Sequence, residues 1–353
     1  MGTKIEEILD QTFDEFRSNN SLTARDHRWL IQSPTTMDVY ATADPNLPRY
    51  PFSNEDYRSS EAHIQSNGGI YIGVSGSVDP AFFNISQHNP QLSILVDIDP
   101  KAIDYLQRRG DELAQNQNGE TYWRSVLRNI LNIQDEDPFQ NQRADLYIED
   151  LRNNGWSSRQ DAYNAVKKLW QEGRIKGLEG DLVRCGLPVA ARVSRETKIP
   201  ITLIYVSNVP DYLTQQEIRD MQSQMSAFLD EGLIDRRTQV VYSELMDGSS
   251  LDPKTTDILE IGKYISRLGT LSDWDSLINE TDPKKLEKYG YNWISNFAVG
   301  EAKRIYDMAQ ELGIDCRVAP AFTMGQDRQK IPNMIAVYVP QGITLEKVWS
   351  SMK

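Results

Sequence analysis

The alternation of short apolar runs with helix-forming segments constrains the fold of this chain more than any other feature of its sequence. Residues 70–74 form an apolar run beside glycines, and the turn at residues 75–77 leads to Asp79 and Pro80, where a helix can begin. A second apolar run, residues 92–97, ends in an acid and passes into another helical pattern. Because parallel strands need a helix-sized connection, this alternation predicts a mainly parallel sheet with helices on its faces.

The same patterns predict how the rest of the chain is organised. Residues 1–67 indicate an amino-terminal helical and loop-rich arm or cap, and residues 68–353 indicate one α/β domain. Helical patterns at about 110–173 and 252–288 are interpreted as insertions into that domain. A helix is expected at about 293–312, and two late apolar runs separated by a short loop predict an antiparallel hairpin that completes the sheet.

Charge and composition limit the classes of partner. The 38 basic and 51 acidic residues give a net charge of -13, which repels phosphate backbones, so nucleic acid is not an expected partner. The mean hydropathy of -0.55 and the lack of a long apolar run predict no membrane partner and a cytoplasmic location. Cys185 and Cys316 lie far apart in the sequence, and His27, His63 and His88 lack metal-binding spacing, so we expect surface or capping histidines and no metal.

The turn after the first strand is the first candidate site. Small residues at the carboxyl end of a parallel strand let the backbone approach a ligand, and the helix that follows presents free amides. The candidate residues are Gly73, Ser75, Gly76 and Ser77, although glycines also serve any tight turn between a strand and a helix. A Gly-x-Ser-x-Gly nucleophile elbow is rejected because the glycine spacing differs.

A carboxylate ends the next strand. Asp97 follows the turn by one β-α-β unit, where a carboxylate can accept hydrogen bonds from both hydroxyls of a ribose. The alternative is that Asp97 caps the next helix, but Asp99, directly before Pro100, is better placed for capping. The turn and the carboxylate together predict a nucleoside ligand.

Four segments in this order resemble the motif series of the class I S-adenosylmethionine-dependent methyltransferases, namely residues 70–76, 96–103, 179–182 and 203–209. The resemblance covers roughly residues 70–339 and includes the closing hairpin. It implies a Rossmann-like three-layer α/β sandwich with a mostly parallel seven-stranded sheet. It also implies S-adenosylmethionine as the cofactor and a small molecule as the methyl acceptor.

The resemblance also implies roles for individual residues. The residues implied to contact the cofactor are Gly73, Ser75, Gly76 and Ser77 at the turn, Asp97 at the ribose, Ile98, Asp181 and Leu182 at the adenine, and Ser207 at the end that faces the methyl group. Asn208 is implied to orient the acceptor. If the acceptor must lose a proton, Asn208 can only orient it, and the candidates to assist are Tyr212, Asp211 or one of the three histidines.

Departures from the family pattern leave two other functions open. Tyr71 and Ile72 precede Gly73 where the family usually carries an acid, so a non-catalytic binding or interaction protein on a methyltransferase-like scaffold is one alternative. A nicotinamide-dependent oxidoreductase is another, because a strand, a turn, a helix and a strand-terminal acid also suit that cofactor. The closing hairpin and the missing Gly-x-Gly-x-x-Gly series favour the methyltransferase.

Overall fold

The computed structural model describes most of the chain and divides it into two compact units. The described residues are 2–19, 47–48, 64–65, 68–131, 152–207, 209, 215–235, 237–245, 251–257, 283–322 and 330–344. The first unit holds the described residues up to Ser207, those between Gln224 and Glu244, and residues 251–257. The second unit is formed mainly by the described residues from 283 onward.

The first unit is built on a six-stranded sheet. Its strands are β1 Ile70–Val74, β2 Leu92–Asp97, β3 Ile175–Glu179, β4 Ile201–Ser207, β5 Gln239–Leu245 and β6 Leu251–Asp257. The strand order is β3-β2-β1-β4-β5-β6, and the pairs from β3 to β5 are all parallel. This is the strand order of doubly wound nucleotide-binding folds, in which the chain reverses its direction of travel between β1 and β4. The predicted parallel α/β architecture is therefore confirmed.

Helices cover both faces of this sheet. The helices of the first unit are α1 Gly2–Asn19, α2 Asp79–His88, α3 Pro100–Gln115, α4 Gly119–Ser125, α5 Gln160–Gln171, α6 Leu187–Thr197 and the residues from Gln224 of α7 Gln215–Asp230. Single π-helical turns follow α4 at Val126–Ile130 and precede α6 at Leu182–Gly186, and a short 3-10 turn occupies Trp156–Ser158.

Different helices pack on the two faces of the sheet. Because neighbouring residues in a strand point to opposite faces, Tyr71 and Leu95 lie on one face and Ile72 and Val96 on the other. Tyr71 and Leu95 belong to the large aromatic core that α2, α3, α4 and α5 cover. The π-helical turn before α6 packs on the opposite face, where Gly186 lies against Val96 and Ile72. Helix α1 packs against α6 in turn.

The second unit contains a smaller antiparallel sheet. Its elements are α8 Pro283–Lys288, β7 Tyr291–Ala298, α9 Val299–Glu311, β8 Arg317–Phe322 and β9 Lys330–Pro340. The strand order is β7-β9-β8, with β9 antiparallel to both neighbours. Helix α9 covers one face, where Ala302 and Ile305 pack with Val337. Leu286 of α8 packs on the other face with Tyr338.

The predicted seven-stranded sheet is not confirmed, because the described residues form a six-stranded sheet and a separate three-stranded one. The closing hairpin exists as β8 and β9, but it joins β7 in the separate sheet and adds no strand to the parallel one. Residues 293–298, expected to be helical, belong to β7 instead. Trp293, Ile294 and Phe297 are aromatic or β-branched side chains that favour extended backbone, which explains this difference.

The second expected insertion also begins differently. Residues 252–257, expected to be helical, lie in β6. Thr255 and Thr256 are β-branched and favour a strand, and Pro253 is tolerated there because β6 is the edge strand of the sheet. The division into an arm at residues 1–67 and a domain at residues 68–353 stays a prediction, since most of residues 20–67 lies outside the described residues.

None of the helices in the described ranges combines the length and the apolar character needed to cross a lipid bilayer.

Candidate functional site

The carboxyl ends of β1, β2 and β3 are joined by backbone hydrogen bonds at one edge of the sheet. The amide of Ser75 donates to the carbonyl of Val96 over 2.8 Å, and the amide of Gly180 donates to the carbonyl of Asp97 over 2.8 Å. Ser207 ends β4, the other neighbour of β1. Ligands of doubly wound sheets bind at this edge, in the crevice where the strand order reverses. The structure thus gathers the described candidate residues at one edge.

Gly73 has a packing reason to lack a side chain. A Cβ atom there would lie 2.7 Å from the Tyr71 hydroxyl oxygen and 2.8 Å from Cβ of Tyr205. Both tyrosines are buried in the core on that face of the sheet. The two tyrosine side chains therefore fill the space beside the Cα of Gly73. The predicted contact between Gly73 and a ligand remains untested, and only the backbone atoms of Gly73 could make it.

Gly76 is different, because its surroundings are open. Its φ of +46° lies in the left-handed region, and apart from Gly76 itself and its two chain neighbours no described atom lies within 4 Å of the position that a Cβ would take. Beside it, the Ser75 hydroxyl is buried, with 2% of the residue exposed, and has no hydrogen-bond partner among the described residues. Ser77 is also buried. An open glycine next to an unsatisfied hydroxyl is an arrangement that a polar ligand can complete.

Val78 closes the turn in a strained conformation. Its φ is 72° and its ψ is -41°, and the amide of Asp79 donates to the carbonyl of Ser77 over 2.9 Å. This three-residue turn is rare, and a β-branched residue at positive φ costs on the order of 1–3 kcal/mol. Ser207 also has a positive φ, 49°, beside a register irregularity between β4 and β5. Strained backbone therefore occurs at the ends of both strands that flank the reversal point.

Asp97 binds the turn rather than the next helix. Its Oδ2 accepts from the Gly76 amide over 2.9 Å, and its Oδ1 accepts from the Asp99 amide over 2.9 Å. Asp99 caps α3 by accepting from the amide of Lys101, as the sequence predicted. Burial raises the pKa of Asp97 to about 7, against the lowering effect of the backbone amides of Asp99 and Gly76. The side chain therefore changes charge near neutral pH.

Asp181 is the N-terminal cap of the π-helical turn. Its Oδ1 accepts from the amides of Val183 and Arg184 over 2.9 and 2.8 Å, and its Oδ2 lies 3.6 Å from the Arg184 guanidinium. Leu182 is buried, whereas Ile98 is partly exposed. Asp181 thus has a structural role, and the adenine contacts expected of Ile98, Asp181 and Leu182 stay predictions. The two candidate catalytic residues, Asn208 and Tyr212, lie outside the described residues, as does Asp211.

A buried ion pair behind the turn is the main feature that the sequence did not predict. Asp79 and Arg109 are both fully buried, with Arg109 Nη2 2.8 Å from Asp79 Oδ1 and Nη1 3.4 Å from Oδ2. Arg109 also donates to the hydroxyls of Tyr122 (2.7 Å) and Tyr105 (2.9 Å). The Trp156 indole N–H lies 3.3 Å from Asp79 Oδ1. The Asp79–Arg109 ion pair is therefore removed from water inside an aromatic enclosure.

The charges of this pair support each other. Burial acts to lower the pKa of Arg109, but Asp79 together with the hydroxyls of Tyr105 and Tyr122 outweighs burial and raises the pKa above its ordinary value. The guanidinium also lies 4.6 Å from the ring centroid of Trp123, a cation–π distance. Asp79 was interpreted from the sequence only as a helix start. The one available signal was Tyr105 four residues before Arg109, which places both side chains on one helix face.

His88 is buried rather than at the surface. Its Nδ1 lies 2.7 Å from the carbonyl oxygen of Gln65, and its Nε2 lies 2.8 Å from the Thr202 hydroxyl. Desolvation lowers the pKa of His88, against the raising effect of the Gln65 carbonyl. His27 and His63 lie outside the described residues. Within the described ranges, no three His, Cys, Asp or Glu side chains are grouped so that they could hold a metal ion.

Comparison with solved structures gives only weak similarity. A precorrin 8W decarboxylase from Methanobacterium thermoautotrophicum is 10% identical, with a TM-score of 0.27, covering 88% of this chain and 100% of that one. A precorrin-6y C5,15-methyltransferase from Geobacter metallireducens is 7% identical, with a TM-score of 0.25 and coverages of 86% and 95%. A methyltransferase from Thiobacillus denitrificans in complex with S-adenosyl-L-homocysteine is 10% identical, with a TM-score of 0.28 and coverages of 88% and 98%. Similarities of this size assign no activity.

Comparison with sequences and families does not assign one either. No curated protein matches this chain. Residues 117–241 match the model of a domain of unknown function, DUF7790. The matched segment contains β3, β4 and the beginning of β5 but neither β1 nor β2, so it includes only part of the candidate site.

Proposed function

We propose that this chain is an S-adenosylmethionine-dependent methyltransferase that acts on a small molecule. The observation that carries the proposal is the pairing of Gly76 with Asp97. Gly76 lies in the turn after one parallel strand, with open space at its Cα, and its amide donates to the carboxylate that ends the neighbouring strand. This combination at the reversal point of a doubly wound sheet suits a ligand that carries a ribose.

The described residues have free capacity for such a cofactor. The Asp97 carboxylate accepts from the backbone amides of Gly76, Asp99 and Ile98, and because a carboxylate has about four acceptor positions, it can still accept from a ribose hydroxyl. The Ser75 hydroxyl would gain its missing partner from the polar end of the cofactor. Because tyrosines fill the space beside Gly73, the cofactor would lie over Gly76.

The chemistry asks little of the protein beyond alignment. S-adenosylmethionine supplies a sulfonium that is already an activated leaving group, so holding donor and acceptor in line is the main requirement. Ser207 is buried at the end of β4 and is proposed to face the methyl group and the acceptor. Asn208 and Tyr212, which follow it in sequence, are proposed to orient the acceptor and to assist loss of its proton.

Isothermal titration with S-adenosylmethionine and S-adenosylhomocysteine tests this function. We expect binding of both, and we expect Asp97→Ala to weaken it by about tenfold or more, since hydrogen bonds to a charged group contribute about 1.5–3 kcal/mol. An unfolding curve for Asp97→Ala shows whether the variant is still folded. Absence of heat with either ligand at millimolar concentration, for a folded wild-type protein, would contradict the proposal.

A nicotinamide-dependent oxidoreductase is the second candidate, and one observation favours it. Asp97 lies 21 positions after Gly76, close to the spacing of about 20 residues between glycine turn and ribose-binding acid in dinucleotide sites. The closing hairpin no longer argues against it, because those strands lie in the separate sheet. Titration with NAD⁺ under the same conditions separates the two candidates. Binding of neither ligand would favour a non-catalytic scaffold.

A further inference from the structure

The turn at residues 75–79 needs support from outside its own backbone. Gly76 and Val78 both have positive φ, and for Val78 this conformation is strained. Such conformations persist only where the surrounding structure holds them. Asp97 holds the beginning of the turn through the Gly76 amide. The end of the turn is Asp79, whose side chain points into the buried ion pair.

Asp79 is held at two points. Both of its carboxylate oxygens face the Arg109 guanidinium, and a contact of this kind fixes the direction of the carboxylate as well as its distance. Arg109 is in turn oriented by the Tyr122 hydroxyl on Nε and the Tyr105 hydroxyl on Nη1. Arg109 and Tyr105 lie on α3 and Tyr122 on α4, so two helices outside the turn fix the position of its last residue.

We propose that Arg109 and Tyr122 are positioning residues of the candidate cofactor site, which hold the residue 75–79 turn in its strained, ligand-accessible form through Asp79. The role in ligand binding rests on the proposed function, whereas the control of the turn does not. The proposal also gives the matched family segment a part in the site, because Tyr122 and Trp156 lie within residues 117–241 while Asp79 and Arg109 precede it.

A role in stability alone does not account for the choice of residues. Burying two charges removes their hydration, and well-packed apolar side chains of similar volume often stabilise a core as much as a buried ion pair does. An apolar pair cannot fix the orientation of the residue 79 side chain in the way that two directional hydrogen bonds do. Here the direction matters, because the charged side chain belongs to the residue that ends the strained turn.

Tyr122→Phe is the test variant, and Tyr163→Phe is its matched control. Each removes one hydroxyl from a buried ring of the same aromatic core, and the two rings lie 6.0 Å apart. The Tyr122 hydroxyl accepts from Arg109, whereas the single Tyr163 hydroxyl proton lies within hydrogen-bond reach of two acceptors, the carbonyls of Leu113 and Asn116. Tyr105→Phe, which removes the other hydroxyl on Arg109, replaces Tyr122→Phe if that variant does not fold.

Hydrogen exchange of the peptide that covers residues 75–79 gives the decisive measurement, corrected for the global stability of each variant. We expect exchange there to quicken by about fivefold or more in Tyr122→Phe and to stay near wild type in Tyr163→Phe. Equal exchange in the two variants, whether both fast or both slow, would overturn the proposal.

Binding of S-adenosylhomocysteine provides a second measurement on the same proteins. We expect the Kd to rise by about fivefold in Tyr122→Phe and to stay unchanged in Tyr163→Phe, the factor that a modest loss of preorganisation produces. An equal rise in both variants would show that the enclosure acts on stability alone. If the wild-type protein binds no S-adenosylhomocysteine, the proposed function fails, and the exchange measurement still decides whether the turn is positioned in this way.

Discussion

The Gly76 amide and the Asp97 carboxylate connect two neighbouring parallel strands over 2.9 Å, although 21 positions separate them in the sequence. The contact fixes the turn after β1 relative to the end of β2. It also puts a carboxyl group that titrates near neutral pH directly beside open space at Gly76. The charge state of the candidate site therefore depends on pH in the physiological range.

Cofactor binding should release a proton below neutral pH. Burial raises the pKa of Asp97 to about 7, so in most protein molecules this carboxyl is protonated at pH 6. Ribose hydroxyls bind best to the ionised form. We expect affinity to rise with pH by up to about tenfold per unit below pH 7 and to level off above it. Titrations at pH 6 in buffers of different ionisation enthalpy measure the released proton.

Asp97→Asn provides the control for this linkage. The variant cannot release that proton, so its binding heat at pH 6 should not depend on the buffer. Without ligand, the contribution of Asp97 to folding stability changes with pH in the opposite direction, falling as pH rises. A carboxyl with a raised pKa stabilises the fold below its unfolded value of 3.8, and that contribution is lost as pH rises through about 7. Proton release that persists unchanged in Asp97→Asn would assign it to another group.

Gly76→Ala should separate backbone strain from ligand access. An alanine in the left-handed region costs about 1–2 kcal/mol, and no described atom obstructs its methyl group. Gly232→Ala is a matched control, since Gly232 has a φ of +70° and equally open surroundings. Gly232 lies near the amino end of β4, where Leu233 accepts from the Ile201 amide, and so it is away from the site.

We expect similar losses of unfolding free energy in both alanine variants, measured by urea denaturation. Only Gly76→Ala should weaken binding of S-adenosylhomocysteine, because only there does the added methyl group enter the space proposed for the ligand. Unchanged affinity in Gly76→Ala would move the ligand away from this turn.

The parallel part of the fold and the ends of its strands could be predicted from the sequence, because they depend on local patterns. Asp99 before Pro100 identified the helix cap, and the acid at Asp97 identified the end of β2. The sheet to which β8 and β9 belong could not be predicted in this way. The sequence pattern of an antiparallel hairpin is the same whichever sheet the hairpin joins. The pairing of β9 with β7 depends instead on tertiary contacts.

The support behind the turn was missed for a related reason. Asp79 and Arg109 are 30 positions apart, and Trp156 is 77 positions from Asp79. Neither the charge nor the spacing of these residues distinguishes them from surface residues in the sequence. The aromatic residues between Gly110 and Gly173 were interpreted as part of an insertion, whereas Tyr122, Trp123 and Trp156 form the enclosure of a charged pair.

Breaking that pair should be costly for stability. Arg109→Met leaves Asp79 as an uncompensated buried charge, and we expect a loss of about 3–5 kcal/mol in unfolding free energy. Asp79→Asn combined with Arg109→Met removes both charges and should recover part of the loss. Arg195→Met, which breaks the exposed pair with Glu231, should leave the urea transition almost unchanged. A loss in Arg109→Met no larger than in Arg195→Met would contradict this account of the enclosure.

His88 should contribute an acid-sensitive part of the stability. Desolvation lowers the pKa of His88 below its ordinary value of 6.5, so the folded protein favours the neutral imidazole. The unfolded chain then binds more protons as pH falls through 6.5, and stability decreases by at most about 1.4 kcal/mol per pH unit. Unfolding free energies of the wild type and of His88→Gln, compared between pH 7.5 and pH 5, isolate this contribution.

The Asp97 linkage has the opposite sign over much of that range and is common to both proteins, so it cancels in the comparison. Parallel pH curves for the two proteins would mean that the contacts of His88 with Gln65 and Thr202 accept the charged imidazole as readily as the neutral one.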